Sequence, residues 1–181
     1  MGPTTYSLCH KEFIGLAMWI TGFCAFPPLV PPTEISLRET GVVLRKEFNA
    51  PVDKSYLLQL RFVFPSTEVR LKDRLVGDRY SDDHCHSDVA YHAIPEPQRP
   101  GLGLPIPFKV TVHTEPEGAP VVERTFNSLC HAAHARNEKY RDVGRIDLRR
   151  GAYRIEVHNL EPQPAFGDIT VEMSLVSGDM K

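Results

Sequence analysis

KSYLLQLRFVF, residues 54–64, decides the fold class. Tyr56, Leu58, Leu60, Phe62 and Phe64 recur at every second position. Successive side chains of a strand point to opposite faces, so this spacing sets five large apolar groups on one side of one strand. A helix would scatter them around its axis.

The same two-residue rhythm recurs along the chain. PFKVTVHT (107–114) sets Phe108, Val110 and Val112 against Lys109, Thr111 and His113. GAYRIEVHN (151–159) sets Tyr153, Ile155 and Val157 against Arg154, Glu156 and His158. DITVEMSLV (168–176) aligns Ile169, Val171, Met173 and Leu175, and GVVLRKEF (41–48) aligns Val42 with Leu44. Further strands are predicted at 35–39, 121–126 and 145–149. About eight short strands, punctuated by Gly, Pro and Asp turns and without a βαβ rhythm, predict an all-β fold. The expected architecture is an antiparallel two-sheet β-sandwich, Ig-like or C2-like.

Two segments escape the alternation. Residues 66–106 form a long, polar, proline-rich connection. Within it, EVRLKDRLVGDR (68–79) reads as a solvated strand or edge with local ion pairs, or as the rim of a charged interface. SLCHAAHARNEKY (128–140) has the composition of one short helix in a loop. Long connections of this kind carry function or are pinned by something.

The first 33 residues read as a separate unit. FIGLAMWITGFCAF (13–26) is fourteen residues without a charge, followed by PPLVPP. As a helix it spans roughly 21 Å, short of the ~30 Å hydrocarbon core, which suits an export signal or a short tilted anchor. Residues 1–33 are therefore expected to be an apolar helix plus a Pro-rich linker, and residues 34–181 the sandwich. Lys11 before the run, with no Lys or Arg until Arg38, orients the domain outward. Cys24 is the candidate lipidation site, although Phe23 before it departs from a lipobox. The net charge of −2 leaves no basic footprint, which argues against a nucleic-acid partner.

Four cysteines are present, and two, Cys85 and Cys130, lie beyond the export segment. In an oxidising compartment their simplest fate is a disulfide. Closing a loop of that length is worth on the order of 4 kcal/mol in the chain-entropy account. The rival reading of SDDHCHSDVAYH (81–92) is a metal site, with His84 and His86 joined by His131 and His134. Those last two, three apart, would share a helix face if 128–140 were helical. A hydrolase is the weaker rival, because Ser81, Asp83 and His84 are merely adjacent and no GxSxG elbow occurs.

At LRRGAYRIEV (148–157) the chain resembles a known family. Together with EFNAPVDKSYLLQLRFVF (47–64), VGD (76–78) and GLPIPFKVTVHT (103–114), this ordered set is similar to a family of uncharacterised proteobacterial exported proteins. These are often lipoproteins, built as one β-sandwich and catalogued as a domain of unknown function; some look like immunity proteins against secreted toxins. The resemblance implies a sandwich, an envelope location and no catalytic residues. The expectation is a non-enzymatic, periplasm-facing protein of the Gram-negative envelope. It would need no cofactor and touch the membrane only through its N-terminal segment. It would neutralise a secreted, type VI-like effector by direct contact. Arg and Tyr dominate interface hot spots, so Arg70, Arg74, Arg79, Tyr80, Tyr91, Arg136 and Tyr140 are the candidate contact residues.

Overall fold

A computed structural model describes residues 27–78, 91–116, 118–129 and 131–177. Nine strands run in chain order: β1 (Val30–Ile35), β2 (Gly41–Ala50), β3 (Lys54–Val63), β4 (Ile106–Thr114), β5 (Pro120–Ser128), β6 (Ala133–Ala135), β7 (Glu138–Leu148), β8 (Gly151–Asn159) and β9 (Thr170–Val176). The one α-helix among the described residues, α1, is Thr67–Lys72. The strands pair antiparallel into two sheets, β1-β9-β3-β7-β6 and β2-β8-β4-β5. This is the expected antiparallel sandwich.

The core lies between the sheets and is built from the predicted faces. Tyr56, Leu58, Leu60, Phe62 and Phe64 of β3 and its exit are buried, as are Phe108, Val110 and Val112 of β4. Tyr153, Ile155 and Val157 of β8 meet them, with Val171, Met173 and Leu175 of β9. Burying such side chains contributes roughly 1.5–3 kcal/mol each before chain entropy is counted. The two tyrosines keep their hydroxyls satisfied at the margin: Tyr56 donates to the Val52 carbonyl and Tyr153 to that of Arg149, each at 2.9 Å.

Several local expectations are corrected. The first strand begins at Val30 and takes in Pro31 and Pro32, which the sequence alone reads as linker. A proline cannot donate to a ladder, but β1 is an edge strand with a register shift between Val30 and Thr33, which accommodates both. In β2 a register shift between Val42 and Leu44 breaks the predicted alignment and leaves Val42 exposed while Leu44 is buried. The predicted strand at 145–149 is the far half of β7, a continuous strand that starts at Glu138.

The short helix also stands elsewhere. Residues 133–135 pair with 138–140 as a hairpin, so residues 131–140 are not helical. The helix lies instead at 67–72, inside the stretch read as a charged strand. Ser66 caps it by accepting from the Val69 amide at 3.2 Å, and Glu68 and Lys72 pair across one turn at 2.6 Å. Among the described residues no helix is long and apolar enough to cross a membrane. Residues 1–26, including Cys24, lie outside the described residues, and so do Cys85 and Cys130.

Candidate functional site

One end of the sandwich gathers the features that alternation does not explain. It is formed by α1, the segment 73–78, the strip 101–105 and the β6–β7 hairpin. The inward positions of β7 here are Lys139 and Arg141, which are 3% and 0% exposed. A buried cation survives only where its hydrogen bonds are replaced.

Arg141 meets that condition with backbone carbonyls. Its Nε donates to the Val76 oxygen at 2.9 Å, and Nη2 donates to Val76 at 2.6 Å and Leu75 at 2.7 Å. Its Nη1 donates to Leu104 at 2.6 Å and Ser128 at 3.3 Å. The Phe62 ring lies 5.6 Å from its guanidinium carbon. Burial pulls its pKa down to about 9, opposed by the charge of Asp73, so it remains a cation at neutral pH. Lys139 donates to the Asp73 carboxylate at 2.9 Å, the Gly77 carbonyl at 2.8 Å and the Asp78 carboxylate at 3.0 Å. Asp73 in turn accepts from the Leu75 amide at 3.0 Å and the Val76 amide at 3.2 Å.

The two strips are also tied to each other. The Asp78 amide donates to the Gly101 carbonyl at 3.0 Å, and that of Leu104 to Leu75 at 2.8 Å. Glycine is required at the closest approach. A Cβ on Gly103, whose φ is +77°, would stand 2.2 Å from Arg141 Nη2. One on Gly77, at φ +88°, would stand 2.6 Å from the Gly101 oxygen. VGD and the start of GLPIPFKV, two pieces of the family resemblance, therefore wall the site of a buried arginine.

The outer surface of this end carries part of the predicted contact set. Arg70 on α1 donates through Nε to the Arg136 carbonyl at 3.1 Å, and Thr67 donates to the same oxygen at 2.9 Å. Arg70 and Arg136 thus sit together, and neither has an ion pair among the described residues. Beside them Val69 and Leu71 are 46% and 62% exposed, apolar groups that composition alone did not flag. Arg74 pairs with Asp78 on the same end.

Other candidates lie apart. Tyr91 lies with Arg99, whose guanidinium carbon stands 5.2 Å from its ring centre, and packs on the small cluster of Ile94, Leu102 and Leu129. Tyr140 is half-buried on the outer face of the five-stranded sheet, where it donates to Glu138, itself bridged to Arg61. Burial raises the Tyr140 pKa, while the bonds from Arg61 and then Tyr140 hold the Glu138 carboxyl below its usual range. Both side chains are already engaged within the sheet, which is why Tyr140 is the least available of the set. Arg79, Tyr80, His84 and His86 lie outside the described residues.

His131 and His134 are brought together, though by the hairpin and not by a helix. Their rings stack with centroids 5.4 Å apart and planes 17° from parallel. Burial, then the charges of Lys139, His134 and Arg70, push the His131 pKa down to about 4. Among the described residues no group of three or more His, Cys, Asp or Glu is placed to hold a metal ion.

The comparisons bear on the fold. The sequence model of a family described as a domain of unknown function (DUF5625) matches residues 32–177. A crystal structure of a protein from Sulfurospirillum deleyianum superposes with a TM-score of 0.66 at 19% identity, covering 84% of this chain and 99% of that one. At that identity the likeness is one of fold. No curated protein matches the chain.

Proposed function

The chain belongs to the DUF5625 family, and from that premise we propose that it is a non-enzymatic, periplasm-facing binding protein. In this reading it is an immunity protein of the Gram-negative envelope that neutralises a secreted, type VI-like effector by direct contact. The observation that carries the choice of surface is the bond from the Arg70 side chain to the Arg136 main-chain carbonyl, with Val69 and Leu71 exposed on the same helix. Arginine is enriched at interface hot spots, and exposed apolar groups beside it add area that binding removes from water. Lys139 bonds to Asp73 at the C-terminal end of α1, so the backbone that presents the contact residues is anchored from beneath.

The test is protection. Susceptible cells carrying the chain with its own N-terminal segment should survive co-culture with an effector-delivering strain of the same source. A variant with Arg70→Glu and Arg136→Glu, accumulating to the same level, should lose at least tenfold in survival. Absence of protection by the unaltered chain, or full protection by the variant, would contradict the reading.

A further inference from the structure

Two depressions flank Pro65 at this end of the molecule. The first, about 400 Å³, has Phe64, Pro65, Val69, Leu75, Ala165 and Ile169 as its apolar lining. Ligand pockets that enclose a whole small molecule run from roughly 300 to 1,000 Å³. An open groove at the low end of that range suits one or two side chains of a larger partner. The second depression, about 520 Å³, is polar and lies between Pro65–Glu68 and Arg136–Asn137.

The charges around the two depressions are unevenly satisfied. Lys72 is taken by Glu68, Arg74 by Asp78, and the carboxylate of Asp73 by Lys139. That leaves Arg70 and Arg136 without a carboxylate among the described residues, on the polar side of Pro65. The carboxylate of Asp168 lines the apolar depression on the other side. Lys72, Asp73 and Arg74 also line that depression, so its charges balance, and an approaching acid is drawn to the Arg70 and Arg136 side, which gives the groove a direction. The whole chain is net negative at −2, so this positive corner is local.

We propose that the groove receives an acidic segment of a protein partner. One bulky apolar side chain enters the depression floored by Phe64 and Ile169. A neighbouring Asp or Glu of the segment crosses Pro65 to reach Arg136 and Arg70. This rests on the binding-protein reading above and names the chemistry of the partner's contact segment. Charge complementarity at such a rim sets association rate and rejects wrong partners, while the apolar anchor supplies residence.

The experiment is selection from a random peptide display library on the purified, immobilised full chain, followed by affinity measurement with the selected peptides. Enriched peptides should carry a bulky apolar residue flanked by Asp or Glu. Their affinity should fall at least tenfold with Arg136→Glu plus Arg70→Glu. It should also fall with Ala165→Trp, which fills the apolar depression without touching a charge. All three positions lie on the surface or its margin, and unchanged melting curves will show that the variants fold. Selected peptides that lack acids, that are basic, or that bind both variants as tightly as the unaltered chain would overturn the proposal. Self-association through this face would overturn it as well. Failure here leaves the effector reading standing, because that reading is decided in co-culture, by protection from the unaltered chain and its loss in the Arg70→Glu, Arg136→Glu variant.

Discussion

The two halves of β7 bury different side chains against the same sheet. Beyond Gly144, Ile146 and Leu148 continue the apolar core. Before it, Lys139 and Arg141 take the inward positions and are as deeply buried. The switch occurs at a bulge: Leu58 pairs with Gly144 but Gln59 with Asp142, so Val143 is the extra residue and the inward phase moves by one. Gly144 is needed there because a Cβ would lie 2.3 Å from the Phe126 ring. The apolar half stabilises by removal from water, which has no direction. The polar half works through hydrogen bonds, whose directionality fixes which backbone strips lie over the strand. A sandwich needs only the first. A rigid surface at one end of it needs the second.

The sharpest way to break this contrast is Arg141→Met. The carbonyls of Leu75, Val76, Leu104 and Ser128 would lose their donor and could not themselves be substituted away, so a loss of roughly 3–5 kcal/mol is expected in urea melts. Near-neutral behaviour would make the arginine one more space-filling side chain. A somewhat smaller effect, about 3 kcal/mol, is expected for Lys139→Met, which strands the buried Asp73 carboxylate. Adding Asp73→Asn should recover part of it, because asparagine keeps an acceptor for the Leu75 and Val76 amides and removes the uncompensated charge. Simple additivity of the two losses would deny that the pair acts together.

The third effect is a pH dependence. His131 is held neutral in the fold with its pKa near 4, below the ordinary value of 6.5. The unfolded chain therefore binds a proton that the native state refuses. The contribution is complete above about pH 6.5 and is lost as the pH falls from there toward 4, with a slope of up to about 1.4 kcal/mol per pH unit. Replacing His131 with Gln should remove that part of the slope. A variant whose stability falls as steeply over the same window would locate the titration elsewhere.

What could be read in advance follows from the same contrast. Wherever inward residues are apolar, at 56–64, 108–112, 153–157 and 169–175, alternation names the strand and its buried face. At 138–148 it fails twice, because Lys139 and Arg141 look like solvent-facing residues and the bulge at Val143 shifts the phase. Only the register to β3 reveals that they belong with Ile146. Arg70 and Arg136 were nameable as types suited to an interface, but their pairing depends on a hairpin that the Ala- and Lys-containing composition of 128–140 disguises as a helix. Val69 and Leu71 were hidden by the charges on either side of them. A visible clue was glycine: Gly77 and Gly103 mark places where two backbones approach one buried side chain.

Native-state hydrogen exchange on the unaltered protein tests the central claim most directly, namely that buried cations make this end of the molecule as rigid as the sheets. The amides of Val76, Asp78 and Leu104, bonded to Asp73, Gly101 and Leu75, should exchange only through global unfolding, as slowly as those of Leu58 and Leu60 in β3. Exchange of these three amides orders of magnitude faster than β3 would mean that the strips open freely over Lys139 and Arg141, and the surface they support would not be preorganised for a partner.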